Sequence, residues 1–85
     1  MSDAMRERII DYIRNEYVED ESMELKEDTP LISSGLVDSF SMVSLKLFLE
    51  EEYQIRMTDA EASTEAFDTV RSIMALVNRK LTEKR

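Results

Sequence analysis

Neither histidine nor cysteine occurs in the 85-residue chain. The usual general base near neutral pH is therefore missing, as are the imidazole and thiolate metal ligands. Carboxylates are plentiful, but Glu19-Asp20-Glu21 and Glu50-Glu51-Glu52 are simple runs, with no apolar pocket to drive two pKa values apart, and they read as solvated surface. The acidic stretch after residue 18 lacks the alternating D-x-D-x-D-G form of a calcium loop. A single glycine leaves no phosphate-cradling glycine loop. No catalytic residue and no metal ligand is expected. What remains is one serine. In Leu31-Ile32-Ser33-Ser34-Gly35-Leu36-Val37-Asp38-Ser39-Phe40 the only glycine, Gly35, stands four residues before Ser39. Asp38 suits the N-cap of a helix in which Ser39 is the first helical residue. A hydroxyl at such a loop–helix junction is open to another enzyme. A phosphate attached to it would lie near the positive end of the helix dipole and the free first-turn amides. Asp38 could cap the helix and also offer a carboxylate to that enzyme's metal. The tripeptide alone reads first as a Ser39 that is only a good helix-starting residue.

The elements that must position this serine follow from periodicity. Met5, Ile9, Ile13 and Tyr17 recur every fourth residue, with Ile10 and Val18 widening the stripe, which predicts a first amphipathic helix over residues 4–18 with Ser2 as its N-cap. Residues 19–37 hold no helical period. Their acidic bias, Pro30 and Gly35 predict a long connecting loop, and Leu25, Leu31, Ile32, Leu36 and Val37 give it the apolar anchors of an ordered one. The second helix is expected from Ser39 to about Tyr53. Leu45, Phe48 and Leu49 form its core stripe, while Phe40, Val43 and Leu47 form a second stripe that so small a domain can hardly bury. Thr58-Asp59-Ala60-Glu61 has the form of a capping box and predicts a short third helix ending near Ala66. Asp68 or Thr69 then caps a fourth helix, carried by Val70, Ile73, Met74, Val77 and Leu81. Arg79, Lys80, Lys84 and Arg85 crowd its C-terminal end, where the dipole favours cations.

The expected fold is therefore all-α: a small irregular four-helix bundle, three main helices plus a short third one, with a long ordered loop between helices one and two. Residues 1–85 are read as one domain. Nineteen acidic against eleven basic side chains give a net charge of −8, which opposes nucleic acid and anionic membrane surfaces and favours a basic protein partner. The longest apolar run, Ile73 to Val77, is far below a membrane span, and the N-terminus has neither signal- nor transit-peptide character. A cytoplasmic monomer is expected.

Gly35-Leu36-Val37-Asp38-Ser39-Phe40 resembles the G-x-x-D-S-[LF] signature of acyl carrier proteins. Further similarities lie in chain length, acidity, the amphipathic first helix, Asp28-Thr29-Pro30-Leu31, the run from Leu45 through Glu50-Glu51-Glu52-Tyr53, and Phe67-Asp68-Thr69-Val70-Arg71-Ser72-Ile73. The resemblance implies that Ser39 bears 4′-phosphopantetheine, with Asp38, Gly35 and Phe40 as the rest of the motif. A phosphopantetheinyl transferase would install the arm from coenzyme A using magnesium. Acyl or aminoacyl intermediates would ride on it as thioesters between a loading ligase and downstream synthases or transferases of fatty acid, polyketide or nonribosomal peptide pathways. The chain itself would not be an enzyme. Asp38, Val43, Leu47, Glu50 and Glu51 match partner-binding positions. Ser41 and Ser44 depart from the fatty-acid-synthesis pattern, which has acids there, and Phe48 would fill a core position that is often small in carriers sheltering long acyl chains. A dedicated carrier for a specialised acyl group and an aminoacyl carrier both fit. The reading of another class is a non-carrier acidic adaptor that binds partners through Phe40, Val43 and Leu47.

Overall fold

The computed structural model describes residues 2–18 and 24–83, the side chains of residues 2 and 3 excepted. Among the described residues four helices follow one another: α1 (Ser2–Tyr17), α2 (Ser39–Tyr53), α3 (Thr64–Phe67) and α4 (Val70–Glu83). The helix α4 is the hub and packs against the other three. The expected all-α bundle with an irregular first connection is the fold observed.

Periodicity accounts for the three long helices. On α1, Ile9 and Ile13 are fully buried while Met5, Ile10 and Tyr17 flank them. On α4, Val70, Ile73, Met74, Leu76 and Val77 are buried, one full side of a helix removed from water. Leu45 and Leu49 of α2 close the core from the third direction, and Phe67 of α3 fills its centre. Each such aliphatic side chain contributes roughly 2–5 kcal/mol against truncation to alanine. Helix α1 begins at Ser2, so that residue is the first helical one and not the expected N-cap, while the expected contributions of Lys84 and Arg85 lie outside the described residues.

Two details differ from the sequence-based expectations, and a third decides between two alternatives left open there. The Thr58–Glu61 box forms: the Thr58 amide donates to Glu61 Oε1 (2.9 Å) and the Glu61 amide to Thr58 Oγ1 (3.1 Å). It closes only a turn, because Ser63 is extended (φ −79°, ψ 166°) and restarts the chain as the N-cap of a one-turn α3 that begins at Thr64. Phe48 is half-buried rather than central. Its ring stacks on Tyr12, with centroids 3.9 Å apart and planes at 11°, under the Arg8 guanidinium, and so fills the seam between α1 and α2. Of the two candidate caps for α4, Thr69 takes the role: the Ser72 amide donates to its Oγ1 (3.1 Å), while Ser72 Oγ accepts from the Thr69 amide and donates to Ala66 O (2.7 Å). Asp68 is thereby left for another task.

The tyrosines also divide. The hydroxyls of Tyr12 and Tyr17 donate to the Ser44 and Ser41 carbonyls, at 3.4 and 3.1 Å, and fasten α1 to α2. The Tyr53 hydroxyl is buried without a partner among the described residues, and desolvation raises its pKa. At the end of α4, Arg79 and Lys80 do more than complement the dipole. Both bind Glu61, at 3.0 and 3.1 Å, and hold the turn before α3 against α4.

Candidate functional site

Ser39 owes its position to the eight residues before it. Leu31 and Val37 are fully buried, and the Val37 amide donates to Leu31 O (2.9 Å), closing the intervening residues into a ring. Within the ring the Gly35 amide donates to Ile32 O (3.0 Å), and Ser34 Oγ reaches out of it to Pro30 O (2.6 Å). Gly35 has φ +84°, the left-handed region that disfavours a side chain, although a Cβ there would meet nothing within 4 Å. Its need for glycine is conformational, not spatial.

The ring is tied to the junction between α3 and α4 through Asp68. Its Oδ1 accepts from the amides of Ile32 (2.9 Å) and Ser33 (2.8 Å), and its Oδ2 from Ser33 Oγ (2.7 Å). Its main-chain carbonyl accepts from the Leu31 amide (2.6 Å), and the Arg71 amide, in the first turn of α4, donates to Glu27 O (3.0 Å). The hydrogen bonds from Ser33, side chain first, hold the Asp68 carboxyl below its ordinary value.

Directly after the ring, Asp38 adopts an extended backbone and its Oδ1 accepts from the Ser41 amide (2.7 Å), an N-cap that starts α2 at Ser39 as expected. That amide bond lowers the Asp38 pKa. Ser39 is exposed, and among the described residues nothing hydrogen-bonds its hydroxyl. It opens onto a groove of about 360 Å³ whose α2 wall is Ser39, Met42, Val43 and Lys46 and whose opposite wall includes Asp59 and Ala62. Lys46 Nζ reaches across its far end to Asp59 at 3.3 Å. Such a hydroxyl is a reachable acceptor for a group delivered by another enzyme, and it stands beside the unpaired first-turn amides.

The structure brings Gly35, Asp38, Ser39 and Phe40 to this one junction. On the outer face of α2, Phe40, Val43 and Leu47 are 87%, 59% and 53% exposed, so the second apolar stripe is uncovered. Glu51 is exposed as well. Glu50 is half-buried, and its Oε2 accepts from the Met57 amide (2.9 Å), so this carboxylate serves the connection after α2. The first turn of α2 holds no acidic residue. Among the described residues no group of three or more acidic side chains could hold a metal ion, and no helix is long and apolar enough to cross a membrane. Sequence reasoning missed Asp68 as a partner of this site. The available signal was small: two adjacent candidate caps for α4, of which only one is needed.

A probable acyl carrier protein, PigG, of Serratia sp. (strain ATCC 39006) is 31% identical to this chain over 75 residues, a match covering 88% of this chain and 86% of that protein. The chain belongs to the acyl carrier protein family. No family model matches it, and no solved structure does.

Proposed function

We propose that Ser39 is the attachment point of 4′-phosphopantetheine and that the chain carries acyl or aminoacyl groups as thioesters between partner enzymes. The observation that carries this reading is a single exposed hydroxyl at an Asp-capped helix start, beside an open groove, in a member of the acyl carrier protein family. The residues suit such an arm: the serine is reachable, first-turn amides stand near the position of its phosphate, and the groove has room for part of its length. When attached, the arm supplies the thiol that bears the cargo. The protein's own part is to present Ser39, keep Asp38 ionised at the cap, and offer partners a docking face.

That face is the stripe of Phe40, Val43 and Leu47, with Asp38 at one end and Glu51 at the other. Apolar contact there supplies affinity, and the acidic ends steer partners that present basic groups. The same stripe would serve an adaptor that carries nothing, and one experiment separates the two. Intact mass is measured before and after incubation with coenzyme A, magnesium and a broad-specificity phosphopantetheinyl transferase. The carrier reading expects the wild type to gain one phosphopantetheine group and Ser39→Ala to gain none. An unchanged wild-type mass, or a modified Ser39→Ala, removes it and leaves the adaptor. Loading the modified protein with acyl- or aminoacyl-activating ligases then identifies the cargo class: an amino acid taken up without any fatty acyl group eliminates the specialised acyl carrier.

A further inference from the structure

We infer that Asp68, 29 positions beyond Ser39 in sequence, is a positioning residue for the modification of Ser39, because its carboxylate holds the loop that presents that serine. The inference rests on the reading of Ser39 as the attachment point. Three side-chain hydrogen bonds at 2.7–2.9 Å run from Ile32 and Ser33 to this one carboxylate, and a fourth, main-chain bond joins Leu31 to Asp68 O. Ile32 and Ser33 lie in the Leu31–Val37 ring, and the ring leads without a break into Asp38 and Ser39. Among the described residues no other side chain hydrogen-bonds Ile32 or Ser33.

The surroundings explain why one carboxylate is needed. Ser33 is exposed and Ile32 only half-buried, so these residues have little burial to fix them. Their two successive amides point at one position, and a carboxylate can accept from both while keeping an oxygen for the Ser33 hydroxyl. Without it the ring would still be anchored at the buried Leu31 and Val37, but its outer half would sample other arrangements. A transferase would then meet the presented form only part of the time, which lowers apparent affinity in proportion to that fraction while leaving the saturated rate nearly intact.

Asp68→Ala tests this against Asp68→Asn. Asparagine retains an oxygen that accepts from both amides, and its NH2 can donate to Ser33 Oγ, so it should restore the clamp. Arm transfer is followed by intact mass with coenzyme A and the broad-specificity transferase. Asp68→Ala should raise KM for the carrier about tenfold or more with kcat changed by less than about threefold, and Asp68→Asn should stay within about threefold of wild type. Amide hydrogen exchange at Ile32 and Ser33 should quicken in the alanine variant and recover in the asparagine variant, while α1 and α4 exchange as in wild type. Should Asp68→Ala lose slow exchange in α1 and α4, Ser33→Ala decides: it removes one bond of the clamp and should still raise KM by about twofold to fivefold with the helices intact. Wild-type kinetics in a folded Asp68→Ala, or in Ser33→Ala where that variant decides, overturn the inference alone. A wild-type protein that accepts no arm overturns the reading of Ser39, and this inference with it.

Discussion

Residues 24–38 enter α2 and residues 54–63 leave it, and both stretches are irregular yet anchored. Each buries apolar side chains, Leu25, Leu31 and Val37 in the first, Ile55 and Met57 in the second. Each is also gathered by one carboxylate, but with different partners. Asp68 accepts from two amides and a hydroxyl, all neutral. Glu61 accepts from the Thr58 amide and faces two cations, Arg79 and Lys80. Salt screens the second arrangement far more than the first. The serine-presenting side is therefore fixed by directional bonds and burial, and the opposite side by burial and by charge, with Arg79 exposed and the Glu61–Lys80 pair part-buried. The groove beside Ser39 lies between α2 and the second stretch, so its width is set by the more screenable of the two.

The comparison breaks most readily at the buried anchors. Leu31→Ala should lower the unfolding free energy by about 2–5 kcal/mol in urea titrations, whereas Leu47→Ala on the uncovered face of α2 should stay within about 0.5 kcal/mol. Equal effects would mean that the first stretch is not an integral part of the core. Next comes Gly35→Ala, which forces a side chain into φ +84° and should cost about 1–2 kcal/mol, although there is space for the methyl group. Ser63→Ala removes the hydroxyl that accepts from the Ala66 amide (3.2 Å) and should cost about 1 kcal/mol, with the loss of α3 helicity seen by NMR.

A gentler probe is acid. The Glu61 carboxyl is held down to about 2 against an ordinary 4.5, first by the Thr58 amide and then by Lys80. A depressed pKa means stability that is present in full above about pH 4.5 and is lost as the pH falls towards about 2. Glu61→Gln should therefore be less stable than wild type at pH 7 and lose part of the acid slope. The remainder should persist, since the Asp38 and Asp68 pKa values are lowered too and carry the same sign. Smallest of all should be added salt at neutral pH, loosening the Glu61 side before the Asp68 side as read by amide exchange.

The same contrast explains what the sequence discloses. The helices α1, α2 and α4 are written in repeats of three and four residues, and Ser39 is marked by Gly35, the Asp38 cap and the change of period after it. The uncovered stripe of Phe40, Val43 and Leu47 was legible because two stripes exceed what one small core can accept. A local pattern is weaker where the same chemistry serves two structures. Thr58 and Glu61 satisfy each other's amides in a lone turn as well as at a helix start, and only the extended Ser63 decides between them. Phe48 has the spacing of a core residue, but its final place depends on Tyr12 and Arg8, some 40 residues earlier at most. The clamp from Asp68 to Ser33 spans 35 residues and leaves no periodic trace, since a carboxylate next to Thr69 looks like one more cap.

The most direct measurement is to locate the added group. After incubation with coenzyme A and the transferase, the protein is digested and the modified peptide is fragmented in the mass spectrometer. The account expects the phosphopantetheine on Ser39, in full occupancy and at no other serine. A group found instead on Ser33, Ser34, Ser41 or Ser44, or no modified peptide at all, would contradict it.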